Sequence, residues 1–167
     1  TYDLESFIAS KSDRIAGLMA DGDIPMISDG RDTQFLARAT AKAIEVLSRN
    51  RAGFILMVEG SRIDDAGHGN NTSMVIDEVI DMDRAVAVAY DFAKRDGKTL
   101  IVVTADHETG GMSITGGNLA KREVKAEFSF TGHSGVMVPV FAFGPGAVEF
   151  TGIQENTDLF HDFFRLL

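Results

Sequence analysis

The chain has 167 residues, enough for one compact domain, and its 44% apolar share is ordinary for a globular protein. Sixteen basic against 25 acidic residues leave a formal charge of -9, which argues against a nucleic-acid phosphate partner, and no apolar run approaches the roughly 20 residues of a membrane span. The absence of cysteine removes disulfides, thiolate metal sites and cysteine nucleophiles from consideration.

Within residues 1–31, Ile15 to Met19 reads as a short strand, and Asp21-Gly22-Asp23 and Ser28-Asp29-Gly30 carry turn chemistry. The chain opens on Thr1-Tyr2-Asp3-Leu4 without an initiator Met, so a segment upstream is expected to be missing. A helix is predicted from Asp32 or Thr33 to about Arg49, with Leu36, Ala39, Ala43, Ile44 and Leu47 on one face and Asp32 as N-cap. Phe54 to Val58 is too short and too continuous for an amphipathic helix and reads as a strand buried on both faces. A loop, Glu59 to Asn71, follows. The clearest helix runs from about Thr72 to Arg95, where Val75, Val79, Met82, Val86, Ala89 and Ala93 form an apolar stripe and Gly97 supplies the stop.

Leu100 to Val103 is the next strand. The strand-helix-strand order predicts a right-handed parallel crossover, which would bring Glu59 and Asp106 to one sheet edge. Gly110-Gly111 and Gly116-Gly117 mark turns around Met112-Ser113-Ile114. Phe128-Ser129-Phe130 alternates like a half-buried strand, and Val136 to Phe143 is an apolar strand stopped by Gly144-Pro145-Gly146. A last helix, Thr157 to Leu167, would turn Leu159, Phe160, Phe163 and Leu166 inward under an Asn156 or Thr157 cap. No repeat, low-complexity stretch or linker interrupts the chain. The prediction is one α/β domain over residues 1–167, with a mostly parallel sheet flanked by helices.

The chemistry collects just after the strands. Glu59 follows one of them, Asp64 and His68 lie four residues apart beyond it, Asp106 and His107 are adjacent at a second strand exit, and His133 sits in a glycine-flanked loop. Carboxylates and imidazoles without sulfur suit a catalytic zinc with an open position, and Glu59 adds the hard oxygen that magnesium favours. Taken singly these residues are weak signals: Asp64 or Asp65 could cap a helix, and a lone histidine is more often simply hydrogen-bonded. Three of the four histidines in loops of one sheet point to a metal site. His161, beside Asp162 in the last helix, reads as a solvated helix residue. Ser61, Thr104, Thr109, Ser113 and Ser134 lack the Gly-x-Ser-x-Gly frame of a nucleophile elbow and are not expected to attack.

Val58-Glu59-Gly60-Ser61-Arg62-Ile63-Asp64 with His68, Thr104-Ala105-Asp106-His107-Glu108-Thr109-Gly110-Gly111 and Gly132-His133-Ser134-Gly135 together resemble the alkaline phosphatase family, in order and in spacing. The connecting helix ending Asp91-Phe92-Ala93-Lys94 and the tail Asn156-Thr157-Asp158-Leu159-Phe160 extend the resemblance over essentially the whole chain. It implies that Asp64, His68 and His133 hold a first zinc, that Asp106 and His107 hold part of a second, and that Glu59 holds magnesium. It further implies phosphomonoester hydrolysis through a phosphoserine intermediate, with phosphate monoesters and inorganic phosphate as ligands. A periplasmic or extracellular location and, in some members, a homodimer are implied too.

The family's serine, in an Asp-Ser context, belongs to an N-terminal portion that also supplies a bridging aspartate, a magnesium-binding threonine and a phosphate-clamping arginine. No segment here matches that portion. The chain thus resembles the C-terminal part of an alkaline phosphatase, is expected to be inactive alone, and is expected to pair with the missing portion or with itself. Arg62 is not that clamp by position and reads as a packing or ion-pair residue. A phosphomutase or phosphodiesterase of the same superfamily, or a non-catalytic metal-binding domain, remains an alternative.

Overall fold

The computed structural model describes residues 1–167. Helix α1 (Leu4–Ala9) is capped by Asp3, whose carboxylate accepts the Ser6 N–H at 2.7 Å. Between it and the next helix the chain has no strand, so the expected strand at Ile15 to Met19 does not form; Ile27–Asp29 instead tightens into a short 3-10 turn ended by Gly30. Helix α2 (Phe35–Leu47) is shorter than expected at both ends. Its N-cap is Gln34, not the expected Asp32; Asp32 stands two residues earlier, in the preceding turn, and accepts the Gln34 N–H at 3.0 Å. The buried positions of α2 are Ala37, Thr40, Lys42 and Ile44, so only Ile44 of the predicted stripe is fully enclosed.

Residues 54–58 pair with no strand. Their exposure alternates, with Ile55 and Met57 at 72% and 84% facing solvent, so the expected burial on both faces is not met. The alternation is that of extended chain covered on one side only. Where a loop was expected, Arg62–His68 forms helix α3. Helix α4 (Thr72–Asp96) follows. Asn71 caps it by accepting the Met74 N–H at 3.2 Å, and Gly97 ends it at φ +69°. That left-handed turn is easy only for a residue without Cβ.

Of the predicted stripe of α4, Ala93 is enclosed, Val75, Met82, Val86 and Ala89 are half-buried and Val79 is exposed. Glu78, Asp81 and Ala85 are enclosed beside them, although two of these are acids. The reason is Arg31, which pairs with both Glu78 and Asp81 (3.0 Å to the latter) under almost complete burial. Neutralisation by one guanidinium lets two acids occupy an interior face. Both α2 and α3 pack on α4, and the small residues Ala37, Ala66, Ala85 and Ala93 let the backbones approach closely.

Strand β1 (Ile101–Val103) comes next, then β2 (Glu108–Thr109), β3 (Ser113–Asn118), β4 (Glu123–Glu127), β5 (His133–Ser134) and β6 (Phe141–Phe143). They pair as β1-β6, β2-β5 and β3-β4, each antiparallel. The class is α/β, but the predicted parallel crossover is not formed: residues 54–58, the intended neighbour of β1, share no ladder with it. Gly116 and Gly117, read as a turn, sit inside β3 beside a register shift. Phe128 to Phe130 lies outside any strand, and only the last three residues of Val136 to Phe143 join a ladder.

Helix α5 (Asp158–Leu166) closes the chain. Its enclosed residue is Asp162. Leu159 is half-buried and Phe163 reaches the Phe150 ring at 5.1 Å between centroids, whereas Phe160, at 66%, faces solvent, so the predicted inward face is only partly realised. His161 is exposed, in line with its reading as a solvated residue.

Candidate metal centre

Helix α3, the approach to β2 and strand β5 converge on one point. Helix α3 carries Asp64 and His68 at i and i+4, the spacing that places two side chains on one face. His68 Nε2 lies 3.2 Å from Asp64 Oδ2. Strand β2 and its approach bring His107, and β5 brings His133; the ladder sets Thr109 opposite His133 and Glu108 opposite Ser134. His133 Nε2 is 3.0 Å from His68 Nε2 and 3.4 Å from Asp64 Oδ1. The His107 and His133 rings stack at 3.6 Å between centroids. Ligand-type atoms of Asp64, His107 and His133 all fall within 4.8 Å of one another.

The supports of these side chains are equally specific. The His68 Nδ1 atom meets the Thr131 carbonyl at 2.5 Å. Thr109 Oγ1 donates to Asp64 Oδ1 and lies 3.2 Å from His107 Nδ1. Glu108 receives the Gly111 N–H at 2.6 Å and the Ser134 hydroxyl, fastening both ends of the short β2-β5 ladder. Those donors, Ser134 foremost and then the Gly111 and Met112 N–H groups, outweigh the smaller effect of burial and hold the Glu108 carboxyl below the ordinary range. Burial pushes the Asp64 carboxyl up, but the Thr109 hydroxyl and the charges of His68, His133 and His107 together prevail and leave it below the ordinary aspartate value.

The donor set fits a cation. Two imidazole nitrogens facing each other at 3.0 Å, with a carboxylate oxygen beside each, direct several electron pairs at one place. A nitrogen and oxygen set of this kind, free of sulfur, suits zinc.

The other expected residues stand differently. Asp106 is 85% exposed and touches the cluster only through His107, at 3.3 Å. Glu59 makes no hydrogen bond to the cluster; it borders a separate small hollow with Arg31, Arg62, Glu78 and Asp81. Arg62 pairs with Asp65 at 2.7 Å, the ion-pair role expected of it. Thr104 donates to the Pro139 carbonyl at 3.2 Å, and Ser134 is occupied by Glu108. Thr109 and Thr131 are participants that residue type alone did not disclose. The signal for them was adjacency, since each lies two residues from a candidate histidine.

An α/β protein with an imidazole and carboxylate cluster at its strand exits is the class that fold and site define. The family model described as alkaline phosphatase matches residues 3–129, and the chain belongs to that family. Alkaline phosphatase H of Pseudomonas aeruginosa is 40% identical over 152 residues, covering 81% of this chain and 32% of that protein. Alkaline phosphatase 4 of Bacillus subtilis is 32% identical, over 95% of this chain and 49% of that protein. Among solved structures, the alkaline phosphatase of the Antarctic bacterium TAB5 superposes with a TM-score of 0.85 at 42% identity, over 98% of this chain and 48% of that one. A cold-active alkaline phosphatase from Shewanella sp. gives 0.90 at 27% identity, over the whole of this chain and 58% of that one. A variant of the TAB5 enzyme was solved with Mg bound in its M3 site. The chain thus spans between about a fifth and a half of the length of the curated relatives it matches.

Proposed function

We propose that the protein containing this chain hydrolyses phosphate monoesters, and that residues 1–167 form one α/β unit supplying most of its metal ligands. The observation that carries this is the meeting of Asp64, His68, His107 and His133 at one point, from three separate segments of the chain, in a member of the alkaline phosphatase family. Asp64, His68 and His133 would hold a first zinc, Asp106 and His107 part of a second, and Glu59 a magnesium. When bound, such ions supply Lewis-acid activation of water and of the attacking and leaving oxygens of a phosphoryl transfer.

The chain's own residues hold the donors in place. Thr131 fixes the His68 ring, and Asp64 stays ionised at neutral pH. No hydroxyl here stands free as an attacking group within the cluster, since Thr109 and Ser134 are both committed to carboxylates. We therefore assign the phosphoserine nucleophile, with the remaining ligands, to another part of the protein. A second copy of the chain is a further candidate partner, and the location is periplasmic or extracellular.

The test is release of phosphate from an aryl phosphate by the full-length protein with zinc and magnesium. Chelation or His133→Ala is expected to lower turnover by more than about 100-fold. Unchanged turnover in His133→Ala, loss of turnover on removing a hydroxyl of residues 1–167 alone, or isomerisation of phosphosugars in place of hydrolysis would overturn the proposal.

A further inference from the structure

We propose that Thr109 is a positioning residue that joins the His107 side of the cluster to the Asp64 side and fixes which nitrogen of His107 carries the proton. The inference rests on the metal-centre reading above and adds to it a residue that is neither ligand nor nucleophile.

A threonine hydroxyl has one proton to give. Ionised Asp64 can only accept, so the Thr109 proton is spent on Asp64 Oδ1. The Thr109 oxygen is then left to accept, and the atom facing it at 3.2 Å is His107 Nδ1. With its Nε2, which lies 3.3 Å from Asp106 Oδ2, given to a cation, His107 carries its proton on Nδ1, towards the Thr109 oxygen. The same reasoning applies to His68, whose Nδ1 faces the Thr131 carbonyl, an acceptor only. Both rings are thus held in the tautomer that presents Nε2, the arrangement by which outer partners prepare imidazole ligands.

What aims the hydroxyl is packing. Gly67 is buried one turn along α3 from Asp64, and a Cβ placed there would come within 3.1 Å of Thr109 Cβ and Cγ2. The Thr109 methyl fills the space over the bare α3 backbone, which leaves the hydroxyl directed at Asp64. Gly110 keeps this approach tight from the other side: it sits at φ +87°, and a Cβ on it would meet the Gly67 carbonyl at 2.9 Å. Because Thr109 also pairs with His133 across the β2-β5 ladder, one residue touches the elements that carry all four of the converging side chains.

The test uses the full-length protein, stripped of metal and titrated with zinc against a chelator, with the visible spectrum of the cobalt-loaded form as a second readout. Thr109→Val keeps the methyl contact with Gly67 and removes the hydroxyl. It is expected to weaken zinc binding by about 10- to 100-fold and to alter the cobalt spectrum. Thr109→Ser keeps the hydroxyl and drops the methyl, and is expected to bind zinc close to the parent. Gly67→Ala, which displaces the hydroxyl without deleting it, is expected to reproduce the valine result. Parent-like binding in Thr109→Val, or an equal loss in Thr109→Ser, would overturn the proposal, the latter by assigning the effect to packing alone. If the valine variant does not fold, Thr109→Ala against Thr109→Ser makes the same comparison, and equal affinities overturn the idea. A parent protein that binds no zinc sinks the metal-centre reading together with this one, whereas tight zinc binding in both parent and valine variant sinks only this one.

Discussion

Replacing Arg31 with Met is expected to be among the most destabilising single changes outside the metal centre. Side-chain exposure of Arg31, Glu78 and Asp81 is 8%, 3% and 2%, so the guanidinium neutralises two carboxylates that have almost no water. Glu78 would keep the Ile27 N–H at 2.9 Å, but Asp81 would lose its charge partner, and its Oδ1 already has none. Removing one member of a buried pair costs about 3–5 kcal/mol. Asp81 has an escape, which is to take up a proton. From an ordinary aspartate value that costs about 4 kcal/mol at pH 7, which sets the ceiling.

The expected loss is therefore about 3–4 kcal/mol at pH 7. Burial already holds the Asp81 carboxyl above its ordinary value despite Arg31, and without Arg31 it rises further. A carboxyl raised in the folded state costs stability as pH climbs from its unfolded value towards its folded one, so the deficit must shrink in acid. The change is about 1.4 kcal/mol per pH unit, leaving about 1 kcal/mol or less at pH 5. Urea unfolding of parent and variant full-length protein at both pH values measures this directly. A deficit under about 1 kcal/mol at pH 7, or one that does not narrow at pH 5, would refute the account of a charge-neutralised interior.

Two further outcomes follow from local geometry. Gly97 ends α4 at φ +69° in open space, so Gly97→Ala meets no neighbour and should cost only its backbone strain, about 1–2 kcal/mol by urea unfolding; a neutral result would remove the left-handed cap from the explanation of why the helix stops. Asp32→Ala removes the acceptor of the Gln34 N–H just ahead of α2 and should loosen that turn, seen as faster amide exchange there, at a cost of at most about 1 kcal/mol for so exposed a bond. The Gln34 N–H, and after it Arg38, hold the Asp32 carboxyl below its ordinary value. Its contribution is thus complete above the ordinary aspartate range and lost as pH falls through the depressed one, and parent and variant should converge in strong acid.

Local rules carried the helices well and the pairing poorly. Gly97 marks the end of α4 by its own backbone preference and was readable in place, whereas Asn71 was read only as the end of a loop and caps the helix. The face that α4 buries was not, because it depends on Arg31, nearly fifty residues earlier, making an interior position tolerable for Glu78 and Asp81. The run at 54–58 looked enclosed because its five side chains are apolar, yet enclosure needs a neighbour on each side and this chain provides one side only. Helix α3 went unread because Gly67 within it and Gly60 and Gly69 on either side give the segment around Arg62–His68 the composition of a loop. The acids and imidazoles of the candidate centre were legible as residue types at strand exits. The hydroxyl and carbonyl that orient them were not, since nothing in a threonine's identity tells which neighbour it will serve.

The β2-β5 ladder is only two residues long at each side, too brief to hold distant parts of the chain by itself. An ion gripped jointly by Asp64, His68 and His133 would act as a cross-link in a chain that has no cysteine to make one. It would close the long stretch of backbone between His68 and His133 and withdraw its freedom from the unfolded ensemble. Resistance to heat should then rise and fall with the supply of that ion, so that catalytic readiness and mechanical integrity are governed by one occupancy.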